Sequence, residues 1–157
     1  MRIIYSLAIG LIIFSSCGKD TETHSSPKQP APIIGTWKLL TGTIIQGNDT
    51  TITDYMANQE FIKIINESHF AFFNHDLNMG KDSTAVFVAG GGKYSLEGNT
   101  YTEYLEYCNF REWENHEFEF EIKIIQDTLV IQGVEKVEEL NVNRLNIEKY
   151  IRLSSLK

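Results

Sequence analysis

Few side chains in this chain are equipped for chemistry, and they are scattered. Of the four histidines, His69 and His75 stand six residues apart. That is roughly 20 Å in extended backbone, too far to share a metal ion without a sharp turn between them. His116 sits in an acidic run, Glu112 to Glu117. It could meet His75 where loops converge, but solvated imidazoles are the simpler reading, and no metal is expected. Glu119 and Glu121 alternate with Phe118, Phe120 and Ile122. They therefore read as the wet face of a strand rather than an acid/base pair. Gly90-Gly91-Gly92 introduces no helical pattern, which argues against a phosphate cradle. No nucleophile signature is present, so the chain reads as a non-enzyme without a cofactor.

Glu103 is the exception. Over Thr100 to Cys108, alternation puts Tyr101, Glu103, Leu105 and Tyr107 on one face, and Thr102, Tyr104, Glu106 and Cys108 on the other. The first set is the more apolar and is assigned inward. A carboxyl group buried there is either raised in pKa or paired with a buried cation. Two roles stay open: a polar handle for a ligand, or a pair with an interior Lys63 or Arg152. In the opposite phase, Tyr104 and Glu106 would inherit both roles. The loop aromatics Tyr55, Phe110 and Trp113, with Met79, suit a mouth that admits an apolar ligand or grips a partner. Trp113, flanked by Glu112 and Glu114, is the harder of the two neighbours to bury; Phe110 is the better candidate to fold back over the core.

The elements that must position these residues are strands. After Pro32 the chain contains no proline and many Thr, Tyr, Phe and Ile. Eight strands are predicted, at 35–45, 59–65, 69–74, 84–96, 100–108, 118–124, 128–132 and 146–153, with a bend or bulge at the three glycines. The links Asn66-Glu67-Ser68, Glu97-Gly98-Asn99 and Gln126-Asp127 are tight hairpins. The links 46–58, 75–83, 109–117 and 133–145 read as long loops. In an up-and-down meander, successive links fall at opposite ends, so the short turns close one end and the long loops surround the other. The fold expected is an all-β, eight-stranded antiparallel up-and-down barrel, a size able to hold one small ligand.

Gly35-Thr36-Trp37 at the start of the first strand resembles the Gly-X-Trp signature of lipocalins and related calycins. That resemblance implies that Trp37 plugs the closed end under an arginine of the last strand, here Arg152. It spans the whole domain and is nearest to bacterial lipocalin-like lipoproteins. Gly35, Trp37 and Arg152 would then be structural, and no helix follows the barrel as it does in true lipocalins. Tyr101, Glu103, Tyr107, Phe118 and Phe120 would hold a small, partly apolar ligand, with Trp113 at the rim. The alternative is a filled barrel that acts as an inhibitor or assembly module through its long loops.

The N-terminus carries a different message. Arg2 is followed by the short apolar run Ile3 to Phe14 and by Ser15-Ser16-Cys17. Such a run is a secretory signal, too short to span a bilayer stably. Small residues before a cysteine resemble the lipobox of bacterial lipoproteins, which implies cleavage after Ser16 and acylation of Cys17. Residues 1–16 are then a signal peptide, 17–32 a lipidated cysteine with a solvated Ser/Thr/Pro tether, and 33–157 the barrel domain. Gly18 after the cysteine resembles the outer-membrane sorting pattern. Lys19-Asp20-Thr21-Glu22 resembles the export tags of surface lipoproteins from Bacteroidetes-like bacteria, and both the periplasmic and the surface face stay open. Acidic residues outnumber basic ones 21 to 14. With no basic stripe, nucleic acid is not an expected partner; the expected ones are a membrane through the anchor, a small apolar molecule and an envelope protein. Lipidation of Cys17 leaves Cys108 alone, so no internal disulfide forms and a half-buried, inert thiol is expected.

Overall fold

A computed structural model describes residues 32–153. The signal-peptide, lipidation and tether assignments lie outside the described residues. The strands are β1 (Gly35–Gln46), β2 (Asp49–Asp54), β3 (Gln59–Ile65), β4 (His69–Asp76), β5 (Phe87–Glu97), β6 (Thr100–Cys108), β7 (His116–Ile125), β8 (Thr128–Val137) and β9 (Val142–Arg152). All pairings are antiparallel. The sheet order is β2-β1-β3-β4-β5-β6-β7-β8-β9, and β1 also pairs with β9. Eight strands therefore form a closed up-and-down barrel, and β2 is an additional strand on the edge of β1.

That extra strand corrects the long loop expected over 46–58. β1 pairs with β3 only from Gly35 to Lys38, then with β2 from Thr41 to Gln46. Where β1 and β3 diverge, Tyr55 fills the gap. Its backbone N–H donates to the Leu40 carbonyl (3.0 Å), and its ring meets Phe61 edge-on at 5.7 Å. The ring lies so close to Gly42 that a Cβ there would sit 3.0 Å from it. The loop expected over 133–145 is likewise corrected. β8 and β9 stay paired from Thr128↔Ile151 to Val137↔Val142, leaving only a 3-10 turn, Glu138–Leu140, between them. In the other direction, β5 starts at Phe87 rather than Thr84. Asp76 gathers the preceding loop by accepting backbone N–H bonds from Asn78 and Gly80 on one oxygen and from Val86 on the other.

The three tight turns share one end of the barrel with the start of β1 and the end of β9. Asn66 closes the first of them by accepting the Ser68 and His69 N–H groups, an Asx turn. Just inside this end, Trp37 is fully buried and donates to the Ile33 carbonyl (2.8 Å). The Arg152 guanidinium lies 4.0 Å from its ring centroid and donates to the carbonyls of Ile34 (2.8 Å) and Pro32. Gly35 has φ +150°, and a Cβ on it would meet Arg152 Nη1 at 2.5 Å; glycine leaves that stack room. Leu39, Ile65, Phe70, Tyr101, Ile122, Leu129, Ile131 and Tyr150 complete a solid core in this half. On β7 the outward residues Glu117, Glu119, Glu121 and Lys123 are exposed, a face suited to water rather than to lipid.

Candidate functional site

The other half of the barrel is hollow. A cavity of about 380 Å³ is bounded by β3 to β9 and by the 109–115 loop. One wall is apolar and mainly aromatic: Phe61, Phe72, Val88, Leu105, Phe118 and Phe120, with Cys108 among them. Phe61 stacks on Phe72 at 5.9 Å, and Phe118 packs against Phe120 at 6.4 Å. Phe110 and Trp113 line the loop side. Trp113 is half-buried against Phe118 (6.0 Å), and the Arg144 guanidinium lies 5.3 Å from its ring. Phe110 is the more exposed of the two, at 47%, the reverse of the sequence expectation. The reason is local. Glu114 accepts the Cys108 backbone N–H (2.9 Å) and the Arg111 guanidinium (2.8 Å), folding the loop so that the 3-10 turn Arg111–Trp113 turns its tryptophan inward.

The rest of the lining is a polar stripe: Lys63 of β3, Glu103 of β6, Glu135 of β8, and Arg144, Asn146 and Glu148 of β9. Lys63 Nζ donates to Glu103 Oε1 at 2.7 Å and stands 3.6 Å from Glu148. The Lys63 and Glu103 side chains are only 4% and 9% exposed, so this ion pair is desolvated. Tyr150 donates to Glu148 (2.6 Å). Asn146 spans Glu135 (2.8 Å) and Glu148 (3.4 Å), and Arg144 grips Glu135 through two nitrogens, Nε and Nη2, each at 2.7 Å. The stripe is thus one connected network from Glu103 at the floor to Arg144 at the mouth.

Burial pushes the Glu103 carboxyl above the usual carboxylate range, and Lys63 only partly opposes it. Burial also works against the charge of Lys63, but Glu103 and then Glu148 outweigh it and hold the ammonium above the ordinary lysine value. The two directions agree once the cluster is counted together: one buried cation faces two carboxylates, so one negative charge is in excess. Tyr101, beneath Glu103, is raised by burial first and by the Glu103 charge second. Its hydroxyl is buried beside the Glu103 carboxyl group.

Of the residues singled out in the sequence, Glu103, Phe118, Phe120 and Trp113 meet at this cavity, and Tyr101 lies below its floor. Tyr107 does not; it is 69% exposed on the outside of the barrel. The register explains the correction. β5 and β6 slip between Gly91↔Tyr107 and Gly92↔Leu105, so Glu106 is the extra residue of a bulge. Beyond a bulge the alternation inverts, which turns Tyr107 out and brings Cys108, assigned to the outer face, inward. Gly92 permits the close approach: a Cβ there would lie 1.9 Å from the Tyr104 carbonyl oxygen. The Cys108 thiol is buried, and burial raises its pKa, the opposite of an activated nucleophile. His75 and His116 stay apart. His75 contacts the Asp76 carbonyl (2.8 Å), while His116 faces Glu139 (3.7 Å).

Glu135 and Arg144 were missed in the sequence because 133–145 read as loop, and Asn146 and Glu148 because they alternate with the more apolar residues of the expected last strand. One signal was present. If Arg152 covers Trp37 inside the barrel, then Tyr150, Glu148, Asn146 and Arg144 share its face.

Comparison with protein-family models and with curated proteins yields no match to this chain.

Proposed function

We propose that this protein binds a small, partly apolar molecule within its barrel and is held on the cell envelope by lipid attached at Cys17. The observation that carries the binding reading is the half-hollow interior: about 380 Å³ between an aromatic wall and a continuous polar stripe. Ligand sites are typically of this kind, mostly apolar with a few fixed polar groups that set orientation. A volume of that size accommodates a molecule of one or two fused rings. The Gly35-Thr36-Trp37 resemblance supports the same reading. The anchor rests on the sequence before the barrel: the basic start, the apolar run and Ser15-Ser16-Cys17. Multiple acyl chains, each methylene contributing about 0.8 kcal/mol, would make attachment stable.

The binding test uses N-phenyl-1-naphthylamine, an uncharged apolar dye that brightens on leaving water. The expected result is saturable enhancement with the wild-type chain and its loss in Leu105→Trp, which fills the cavity, with unchanged far-ultraviolet circular dichroism. Equal enhancement by both proteins would refute binding inside the barrel. For the anchor, metabolic incorporation of an alkyne-tagged fatty acid should be abolished by Cys17→Ser.

A further inference from the structure

The cavity carries a charge asymmetry beyond its general capacity for an apolar molecule. Five side chains of the acidic and basic residue types line it: Lys63 and Arg144, against Glu103, Glu135 and Glu148. Both cations are already engaged, Lys63 by Glu103 at 2.7 Å and Glu148 at 3.6 Å, Arg144 by Glu135 at 2.7 Å. The third carboxylate has no cation of its own. The His116 imidazole, at the rim, faces Glu139 at 3.7 Å rather than the interior.

The carboxylates also retain capacity to accept. Glu103 is 7% exposed and lines the cavity. Its contact with Lys63 uses Oε1, and the Tyr101 hydroxyl approaches the same carboxyl group from below. A carboxylate in ionised form accepts at about four lone-pair positions, so Glu103 has room for an incoming donor. Glu135 and Glu148 are spanned by a single amide, Asn146, a neutral group where a cation would be stabilised by both. The rings of Phe61, Phe72, Phe118 and Phe120 line the same cavity, and an aromatic π face favours a cation and disfavours an anion.

Resting on the reading of the barrel as a binding protein, we infer that its cavity selects organic cations: molecules with a flat or compact apolar body and one protonated amine, the amine meeting the Glu103–Glu148–Glu135 stripe and the body the aromatic wall. An anionic ligand such as a fatty acid would find no free cation and one carboxylate too many. An uncharged ligand would gain the apolar wall alone and leave the excess charge uncompensated.

The test compares three probes with one body and different heads: 2-naphthylmethylamine, 2-naphthylmethanol and 2-naphthoate. Binding is measured by equilibrium dialysis at pH 7 against the full chain in phosphatidylcholine nanodiscs, with empty nanodiscs as the blank. The amine is expected to bind about tenfold or more tighter than the alcohol, and the carboxylate weakest. In Glu148→Gln, where Lys63 and Glu103 remain as a balanced pair, the amine-to-alcohol ratio should fall about tenfold. If the alcohol binds as well as the amine, or the carboxylate best, the cation inference is overturned while the binding reading stands. If none of the three binds, both fall. A wild-type preference that persists undiminished in Glu148→Gln also overturns the assignment to this stripe.

Discussion

Replacing Lys63 with Met tests the interior electrostatics most directly. Met keeps most of the apolar stem packed near Phe70 and Tyr150, whose ring centroids lie 5.7 and 5.6 Å from Lys63 Nζ, and removes only the charge. Two carboxylates then face each other without a counter-ion. The Lys63, Glu103 and Glu148 side chains are 4%, 9% and 17% exposed, so water screens the cluster weakly. Breaking a buried pair of this kind from one side costs about 3–5 kcal/mol, and that loss is expected at pH 8. The pH dependence has a definite sign. Glu103 titrates above its ordinary range in the folded protein. A carboxyl raised on folding contributes stability that is fully present below its unfolded pKa and is lost as pH rises through the folded value. Without Lys63 the folded value rises further, so the penalty should narrow as pH falls from 8 to 5. Adding Glu103→Gln should recover part of the loss, with a coupling energy of about 2 kcal/mol. Urea unfolding followed by tryptophan fluorescence at both pH values reads all three quantities. A Lys63→Met penalty under about 1 kcal/mol, or one that grows toward pH 5, would refute a desolvated one-cation, two-carboxylate cluster.

Three further outcomes follow from the same geometry. Trp37→Ala should cost about 3–5 kcal/mol in urea unfolding, because a fully buried indole is removed from beneath Arg152. Gly92→Ala should cost about 3 kcal/mol or more, since the new methyl group would lie 1.9 Å from a backbone oxygen at the bulge and neither strand can yield without losing register; a fully stable variant would show that the bulge is not required. Asp76→Asn should loosen the loop over 77–86, seen as faster amide exchange at Asn78, Gly80 and Val86, because an amide cannot accept on both sides. Wild-type protection there, measured against the intrinsic rate at the same pH, should fall in acid: the Gly80 N–H above all, with the other backbone donors, holds Asp76 below the usual carboxylate range, and its contribution is lost as pH falls through that lowered value.

Read alone, the sequence determined the strand class and the end at which the tight turns lie. Those properties are local: alternation within a strand such as Phe118 to Ile124, turn residues such as Gly98, and the absence of proline after Pro32 are written into neighbouring residues. It also brought out Glu103, Phe118 and Phe120, whose inward phase follows from alternation in an unbroken stretch. What it could not supply was the relation between stretches. Tyr107 and Cys108 exchanged faces because one extra residue, Glu106, sits opposite Gly91-Gly92, and a bulge is a property of two strands, not of one. β2 arose because β1 parts from β3 after Lys38 and leaves an edge to be paired. The polar stripe was hidden for a further reason. Hydropathy assigns the apolar face inward, whereas on β9 Leu145, Ile147 and Ile151 lie on the opposite face from Arg144, Asn146, Glu148 and Tyr150, which point inside. Only barrel closure, which brings Lys63 of β3 and Glu103 of β6 to Glu148 of β9, supplies the partners that make buried charge tolerable there.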